Sequence, residues 1–133
     1  MAGRARLVAA LIGRPIELPA ELRARWPELD AARWRRGGIF PRIGGWCLGR
    51  RTVAAITLWR TIFLADDARL DPGLLLHELR HVHHFLASRA FPLRYLWESV
   101  RRGYSRNPYE ADANAFALAR LRADRPESLT QDV

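Results

Sequence analysis

The sequence predicts an α+β protein in which a small sheet precedes two long helices. Between Ile39 and Leu64 the chain is rich in glycine, β-branched and aromatic residues, a composition typical of strands and turns. From Asp71 onward, leucine- and alanine-rich segments begin at prolines and carry apolar residues at helical spacing. Together these observations predict an antiparallel or mixed sheet of about three strands, packed on helices.

The length and composition are those of one folded domain. The chain has 133 residues, of which 49% are hydrophobic and 27% charged, enough for a single core and unlike a disordered chain. All 22 basic residues are arginine, against 14 acidic residues, for a net charge of +8. The arginines are scattered, which favours a solvated basic surface over a site for nucleic acid or anionic lipid. We divide the domain into an N-terminal helical segment (1–36), a core (37–123) and a polar tail (124–133).

Two features of the sequence bear on its compartment. The lone Cys47 excludes an internal disulfide and a cysteine-based zinc site. The apolar run Leu7–Ile12 is too short for a secretory signal or a membrane span, and a short helix is expected there. We therefore expect a cytoplasmic protein without a membrane span; nothing in the sequence indicates an oligomeric state.

Short elements are expected before the central helix. Pro19–Trp26 predicts a short amphipathic helix, and Asp30–Arg36 predicts another helical turn or two, with Trp26 and Trp34 packed against the core. Three strands are then predicted at Ile43–Leu48, Arg51–Thr57 and Thr61–Leu64, with a hairpin turn at Gly49-Arg50 and a bend near Leu58-Trp59-Arg60.

Three helices are expected in the second half of the chain. Asp71 as N-cap and Pro72 at the first position begin a central helix that runs to about Ser88 or Arg89. A second helix is predicted over Leu93–Val100. The last begins at Asn107-Pro108 and runs to about Arg122.

The central helix contains an H-E-x-x-H pattern at positions 77–81. Residues four apart lie on one helix face, so His77 and His81 can direct two imidazoles at one metal ion. Glu78 lies beside that ion and can accept a proton from water that the metal activates.

The neighbouring polar residues have other expected places. His83 points away from the His77/His81 face. His84 shares that face but lies about 10 Å along the axis from His77, too far for easy joint coordination. We expect His84 behind the ligands or facing substrate, and Arg80 in a salt bridge.

A third ligand has to come from elsewhere, because no histidine follows His84. Glu110 stands out, since it opens a helix whose alanines allow close approach to the histidine helix. Asp112 is the alternative; the two carboxylates differ by about 200° around the helix, so they cannot both face the metal. Tyr104 and Tyr109, near the start of this helix, could polarise a substrate carbonyl, with simple packing as their alternative role.

His77-Glu78-x-x-His81 followed by Glu110 on a later helix resembles the gluzincin branch of zinc metallopeptidases, and the size resembles its compact, minigluzincin-like members. The resemblance covers roughly residues 51–120. It implies a zincin-like fold, with the sheet packed on the H-E-x-x-H helix and on a second, glutamate-bearing helix. It also implies Zn²⁺ on His77, His81 and Glu110, with Glu78 as the general base.

The same resemblance carries two further expectations. Gluzincins commonly have an aspartate four residues after the ligand glutamate, hydrogen-bonded to the first histidine; Asn114 stands there instead and removes the charge. The strand Thr61–Leu64 would be the edge strand along which a peptide or protein substrate lies.

Zinc-dependent hydrolysis of peptide bonds is therefore the expected function. One alternative is a catalytically weak or inactive metal-binding or interaction module on the zincin scaffold, although the intact Glu78 counts against it. Another is a basic nucleic-acid-binding domain, for which no recognised motif is present. Two histidines and a carboxylate can also hold Fe(II) instead of zinc.

Overall fold

A computed structural model describes residues 1–47 and 53–125, and this part of the chain forms six α-helices and a four-stranded sheet. The helices are α1 (Ala2–Ile12), α2 (Ala20–Arg25), α3 (Phe40–Cys47), α4 (Pro72–Ala87), α5 (Phe91–Arg102) and α6 (Pro108–Ala123). The strands are β1 (Arg14–Pro15), β2 (Arg33–Arg36), β3 (Ala55–Leu58) and β4 (Thr61–Leu64), and 3-10 helices lie at Pro27–Ala31 and Tyr104–Arg106. The α+β class is confirmed, but the expectation of about three strands is wrong: the described residues form four, because β1 and β2 of the N-terminal segment join the sheet.

The sheet is mixed, with the strand order β1-β2-β4-β3. β4 pairs in parallel with β2 and antiparallel with β3, while β1 pairs antiparallel with β2. The strand predicted at Thr61–Leu64 is confirmed with its bounds, but the expectation that it is an edge strand is wrong, because it has neighbours on both sides. Over the residues described, β3 is the edge strand beside it.

The prediction of a helical turn over Asp30–Arg36 is wrong for the second half of this segment, which forms β2. The strand is held by its neighbours: Arg33 N donates to Arg60 O at 2.7 Å, and β2 pairs residue by residue with β4. Trp34 points into the core, where its Nε1 donates to Leu29 O at 2.9 Å. Pairing with a distant strand therefore overrides the local helical preference.

The strand predicted over Ile43–Leu48 is also wrong, because residues through Cys47 belong to α3. Gly44 is the reason this helix fits: a Cβ there would lie 3.0 Å from Val53 Cγ2 and 3.5 Å from Ile56 Cδ1. Its lack of a side chain lets α3 approach the start of β3 closely. Leu48 and the predicted turn at Gly49-Arg50 lie outside the described residues, and β3 covers the end of the predicted strand Arg51–Thr57.

The core lies between the sheet and one face of α4. Its fully buried side chains come from β4, from α4 and from the first 3-10 helix: Leu29, Ile62, Leu64, Leu75, Leu76, Leu79 and Val82. Trp26 and Trp34 are buried, as expected. Burial of this apolar face leaves the opposite, histidine-bearing side of α4 to face its helical neighbours.

Both long helices begin where the sequence predicts. Asp71 Oδ2 accepts from Leu74 N at 3.0 Å, and Asn107 Oδ1 accepts from Tyr109 N at 2.9 Å. α1 extends the expected N-terminal helix and buries none of its residues. None of the described helices is both long and apolar enough to cross a bilayer.

Candidate metal centre

Two histidines of α4 and a glutamate of α6 converge on one point. His77 Nε2 lies 2.9 Å from Glu110 Oε2, and His81 Nε2 lies 3.1 Å from Glu110 Oε1. The two Nε2 atoms are 3.2 Å apart, and one donor atom from each of the three residues lies within 4.8 Å of the others. His81 and Glu110 are buried and His77 is half-buried. This group could hold a metal ion.

The packing of α6 on α4 places Glu110, and not Asp112, beside the two histidines. Ala113 and Ala117 are buried on α6, and their small side chains permit the close approach of the two helices. Asp112 is rotated away from the cluster and 45% exposed, and its Oδ2 accepts from Arg80 Nε at 2.8 Å. The salt bridge expected for Arg80 is therefore present, and Asp112 is its partner.

Asn114 lies behind His77. Its Oδ1 is 2.7 Å from His77 Nδ1, and an amide oxygen can only accept, so Nδ1 carries the proton of this bond. The His77 Nε2 atom is then the one that can offer a lone pair to a metal. Asn114 thus makes the hydrogen bond that an aspartate would make, without the charge.

A longer chain of polar contacts lies behind His81. His81 Nδ1 is 3.3 Å from His84 Nδ1, and His84 Nε2 is 2.6 Å from Asp112 Oδ2. Because the Asp112 carboxylate only accepts, His84 donates from Nε2 and its Nδ1 accepts from His81. A neutral His81 then offers the lone pair of its Nε2 atom toward the position that a metal would occupy. His84 therefore lies behind His81, while His83 packs edge-on against the Phe116 ring.

Burial and charge pairing shift the pKa of several groups in the metal-free protein. Burial favours a neutral Glu110, but hydrogen bonds from His77 and His81 outweigh it and hold its pKa well below the usual range. Burial opposes a charge on His77, yet its hydrogen bond to Glu110 raises its pKa overall. For His84, burial dominates and lowers the pKa, which keeps the imidazole neutral.

Tyr95 of α5 is a site residue that the sequence reasoning missed. Its hydroxyl donates to Glu110 Oε1 at 2.7 Å, and burial together with the Glu110 charge raises its pKa. No local spacing could have revealed it, because the contact depends on how α5 turns back toward α6. The hydroxyl holds one carboxylate oxygen while the other faces His77.

Glu78 lines an open cavity next to His77. The cavity has a volume of about 520 Å³, and its polar lining consists of His77, Glu78, Tyr104 and Asn114. Thr57 of the edge strand β3 donates from Oγ1 to Glu78 Oε2 at 2.6 Å and is itself buried. Thr57 is the second residue that the sequence reasoning missed.

The remaining walls of this cavity are apolar. They come from the start of β3 and from facing positions of α4 and α6: Val53, Ala54, Ala55, Gly73, Leu74, Ala117, Leu118 and Leu121. A cavity with one polar end and apolar walls is the usual form of a small-ligand or substrate site.

The two tyrosines near the start of α6 have different places. Tyr104 lines the cavity and is 43% exposed. Tyr109 packs its ring between Phe91 and His84, with centroid distances of 5.0 and 5.2 Å, and is not part of the cavity lining. Tyr104 is therefore placed where it can meet a bound molecule, whereas Tyr109 supports the site by packing.

Comparison of the chain with protein-family models, with curated proteins and with solved structures returns no significant match.

Proposed function

We propose that this chain is a zinc-dependent peptidase in which His77, His81 and Glu110 hold the ion and Glu78 is the general base. One observation carries the proposal: three suitable donor atoms converge beside a glutamate in an open cavity. Two neutral imidazoles and a carboxylate are the donor set of catalytic zinc sites that keep a fourth position open. When bound, zinc supplies a Lewis acid that lowers the pKa of water and polarises a carbonyl.

The chain's own residues perform the proton transfers. Glu78 accepts the proton of the attacking water and returns it to the leaving amine. Thr57 holds Oε2 of Glu78, which leaves Oε1 for the proton. Tyr104 carries a hydroxyl at the cavity and can donate to the carbonyl oxygen as negative charge develops there.

We also propose that the fold is zincin-like and that the substrate is a peptide lying along β3. The order of sheet, α4 and α6 resembles that of gluzincins. In this arrangement β3, not β4, is the strand that borders the cavity, through Ala55 at its first position. An extended peptide can add to such an edge as a further strand, with its carbonyl groups directed toward the metal.

A second candidate is a metal-binding module that does not hydrolyse peptides. The observation in its favour is Asn114, whose neutral amide lacks the charge that strengthens a histidine ligand.

The Glu78→Gln variant tests the catalytic role. It should retain zinc, because Glu78 is not a ligand, and should lose about 10²- to 10⁴-fold in hydrolysis of a peptide library. The matched control is Glu21→Gln on the exposed surface of α2, which should change neither. Zinc content and cleavage rate are measured on the same preparations.

Two outcomes would contradict this scheme. Unchanged hydrolysis in Glu78→Gln excludes Glu78 as the base. A native chain that binds one zinc but cleaves no library peptide excludes the peptidase and favours the second candidate.

A further inference from the structure

Helix α5 presents an apolar stripe to solvent. Leu93, Leu96, Trp97 and Val100 follow the spacing i, i+3, i+4, i+7 and are 74%, 61%, 62% and 75% exposed. The opposite face of the helix buries Phe91 and directs Tyr95 to the metal centre. A surface helix ordinarily turns its apolar side inward, so the orientation of α5 is the reverse of the usual one. Contiguous exposed apolar residues of this kind mark an interaction surface.

Positive charge borders the stripe. At 100° per residue, Arg94 and Arg101 lie on the same flank of the helix, two turns apart and next to Trp97, and both are exposed. Neither forms an ion pair within the described residues. The only acidic residue of α5, Glu98, lies between these arginines but is half-buried and forms an ion pair with Arg102 at 2.7 Å, so this side of the helix keeps an excess of positive charge. The positive charge beside the stripe therefore favours an anionic partner.

We propose that α5 is a membrane-surface helix that binds anionic bilayers. The helix lies in the plane of the interface, with Leu93, Leu96 and Val100 in the boundary between headgroups and acyl chains. Arg94 and Arg101 reach lipid phosphates, and Trp97 takes the interfacial position that tryptophan favours. The short helix, with its strong apolar face and basic flank, suits a surface position and not a spanning one.

Charge argues for a bilayer over a second copy of this chain. An antiparallel two-fold contact through the stripes would bring the basic flanks of both copies together, and each copy carries a net charge of +8. An anionic bilayer buries the same apolar surface and meets the arginines with opposite charge.

Docking through α5 would also orient the metal centre. The inner face of this helix carries Tyr95, which bonds Glu110, so only the thickness of one helix, about 10 Å, separates the centre from the bilayer. The proposal is independent of peptide hydrolysis, since vesicle binding and cleavage are measured separately.

Flotation of the full chain with lipid vesicles tests the proposal. The chain should bind vesicles of phosphatidylcholine with phosphatidylglycerol, more weakly at high salt, and should bind pure phosphatidylcholine far less. Leu96→Ser/Trp97→Ser should lower the partition coefficient roughly tenfold or more. Arg94→Gln/Arg101→Gln should lower binding to the anionic vesicles and remove most of its salt dependence.

A matched control separates the stripe from general hydrophobicity. Trp59, on the turn between β3 and β4, is 64% exposed, nearly the same as Trp97. Trp59→Ser should leave vesicle binding unchanged, whereas Trp97→Ser should weaken it. Thermal unfolding and zinc content should match the native chain in all variants, because the altered side chains are exposed.

Three results would overturn the proposal. The first is equal vesicle binding by the native chain and Leu96→Ser/Trp97→Ser. The second is an equal loss in Trp59→Ser. The third is sedimentation showing a dimer that the double variant abolishes, without vesicle binding, which would make a second copy the occupant.

Discussion

In the proposed zinc site, His84 and Asp112 act on the metal through His81. A histidine offers a lone pair from Nε2 only while its other ring nitrogen holds the proton, and that proton needs an acceptor. His84 provides it for His81, Asp112 orients His84, and Arg80 holds Asp112. Asn114 does the same for His77. Each of the two proposed histidine ligands is thus oriented by a neutral side chain, Asn114 for His77 and His84 for His81, and behind His84 lies the charged Asp112.

The zinc affinity of variants should distinguish the proposed ligands from the residues that orient them. Glu110→Ala should abolish tight zinc binding, while His84→Phe should weaken it by about 10- to 100-fold, because His81 loses its acceptor. His83→Ala, one residue away and packed against the Phe116 ring, is the control and should not change affinity. Competition with a chromophoric chelator gives the dissociation constants.

Asp112→Ala belongs to the same series, because the sequence leaves it open as an alternative ligand. We expect this variant to keep zinc with reduced affinity. If it releases zinc while Glu110→Ala retains it, the assignment of the third ligand is wrong.

At the scale of elements, the junction between α5 and α6 positions both Glu110 and Tyr95. Asn107 is fully buried there. Its Oδ1 caps α6 through Tyr109 N, and its Nδ2 donates to Tyr95 O at 3.2 Å and Ser99 Oγ at 2.8 Å. The Asn107 side chain therefore caps α6, which carries Glu110, and also bonds α6 to α5, which carries Tyr95.

Removing the Asn107 cap of α6 should lower the free energy of unfolding more than removing the Asp71 cap of α4. Asp71→Ala loses an exposed cap and should lower the free energy of unfolding by about 1 kcal/mol. Asn107→Ala also leaves buried groups of α5 without partners and should cost about 2–4 kcal/mol. Urea denaturation of the two variants gives the comparison, and equal losses would show that the buried contacts of Asn107 contribute nothing.

At the scale of the whole molecule, the residues of the proposed metal centre couple stability to pH. In the metal-free protein the depressed pKa of Glu110 adds stability above its unfolded pKa of about 4.3, which is lost as the pH falls. The raised pKa of His77 adds stability below its unfolded pKa of about 6.5, which is lost as the pH rises through the folded value. Glu110 and His77 both stabilise the folded state fully only between these two unfolded pKa values.

Considering Glu110 and His77 alone, the free energy of unfolding of the metal-free chain should therefore be highest between about pH 4.3 and 6.5. Glu110→Gln should flatten the profile, because it removes the carboxylate of the pair. Zinc at about 100 times its dissociation constant should restore about 2.7 kcal/mol at pH 7.5 in the native chain only. Thermal unfolding over pH, with and without zinc, measures this; a profile unchanged by Glu110→Gln would contradict the pairing.

The elements predicted correctly depend on local signals. α4 and α6 begin at a capping residue followed by proline, and the four-residue spacing of His77 and His81 follows from helix geometry alone. Glu110 could be proposed because small residues on its helix indicate close packing. The elements predicted wrongly depend on distant partners: β2 pairs with β4, and α3 uses Gly44 to approach β3.

The sequence by itself determined the α+β class, the histidine helix and the glutamate helix, because caps, prolines and periodicity act within a few residues. Only the tertiary structure decided that β3 is the edge strand, that Thr57 holds Glu78 and that Tyr95 holds Glu110. It also decided that the apolar side of α5 faces outward. These features arise from packing between segments far apart in the chain, and local sequence patterns do not predict such contacts.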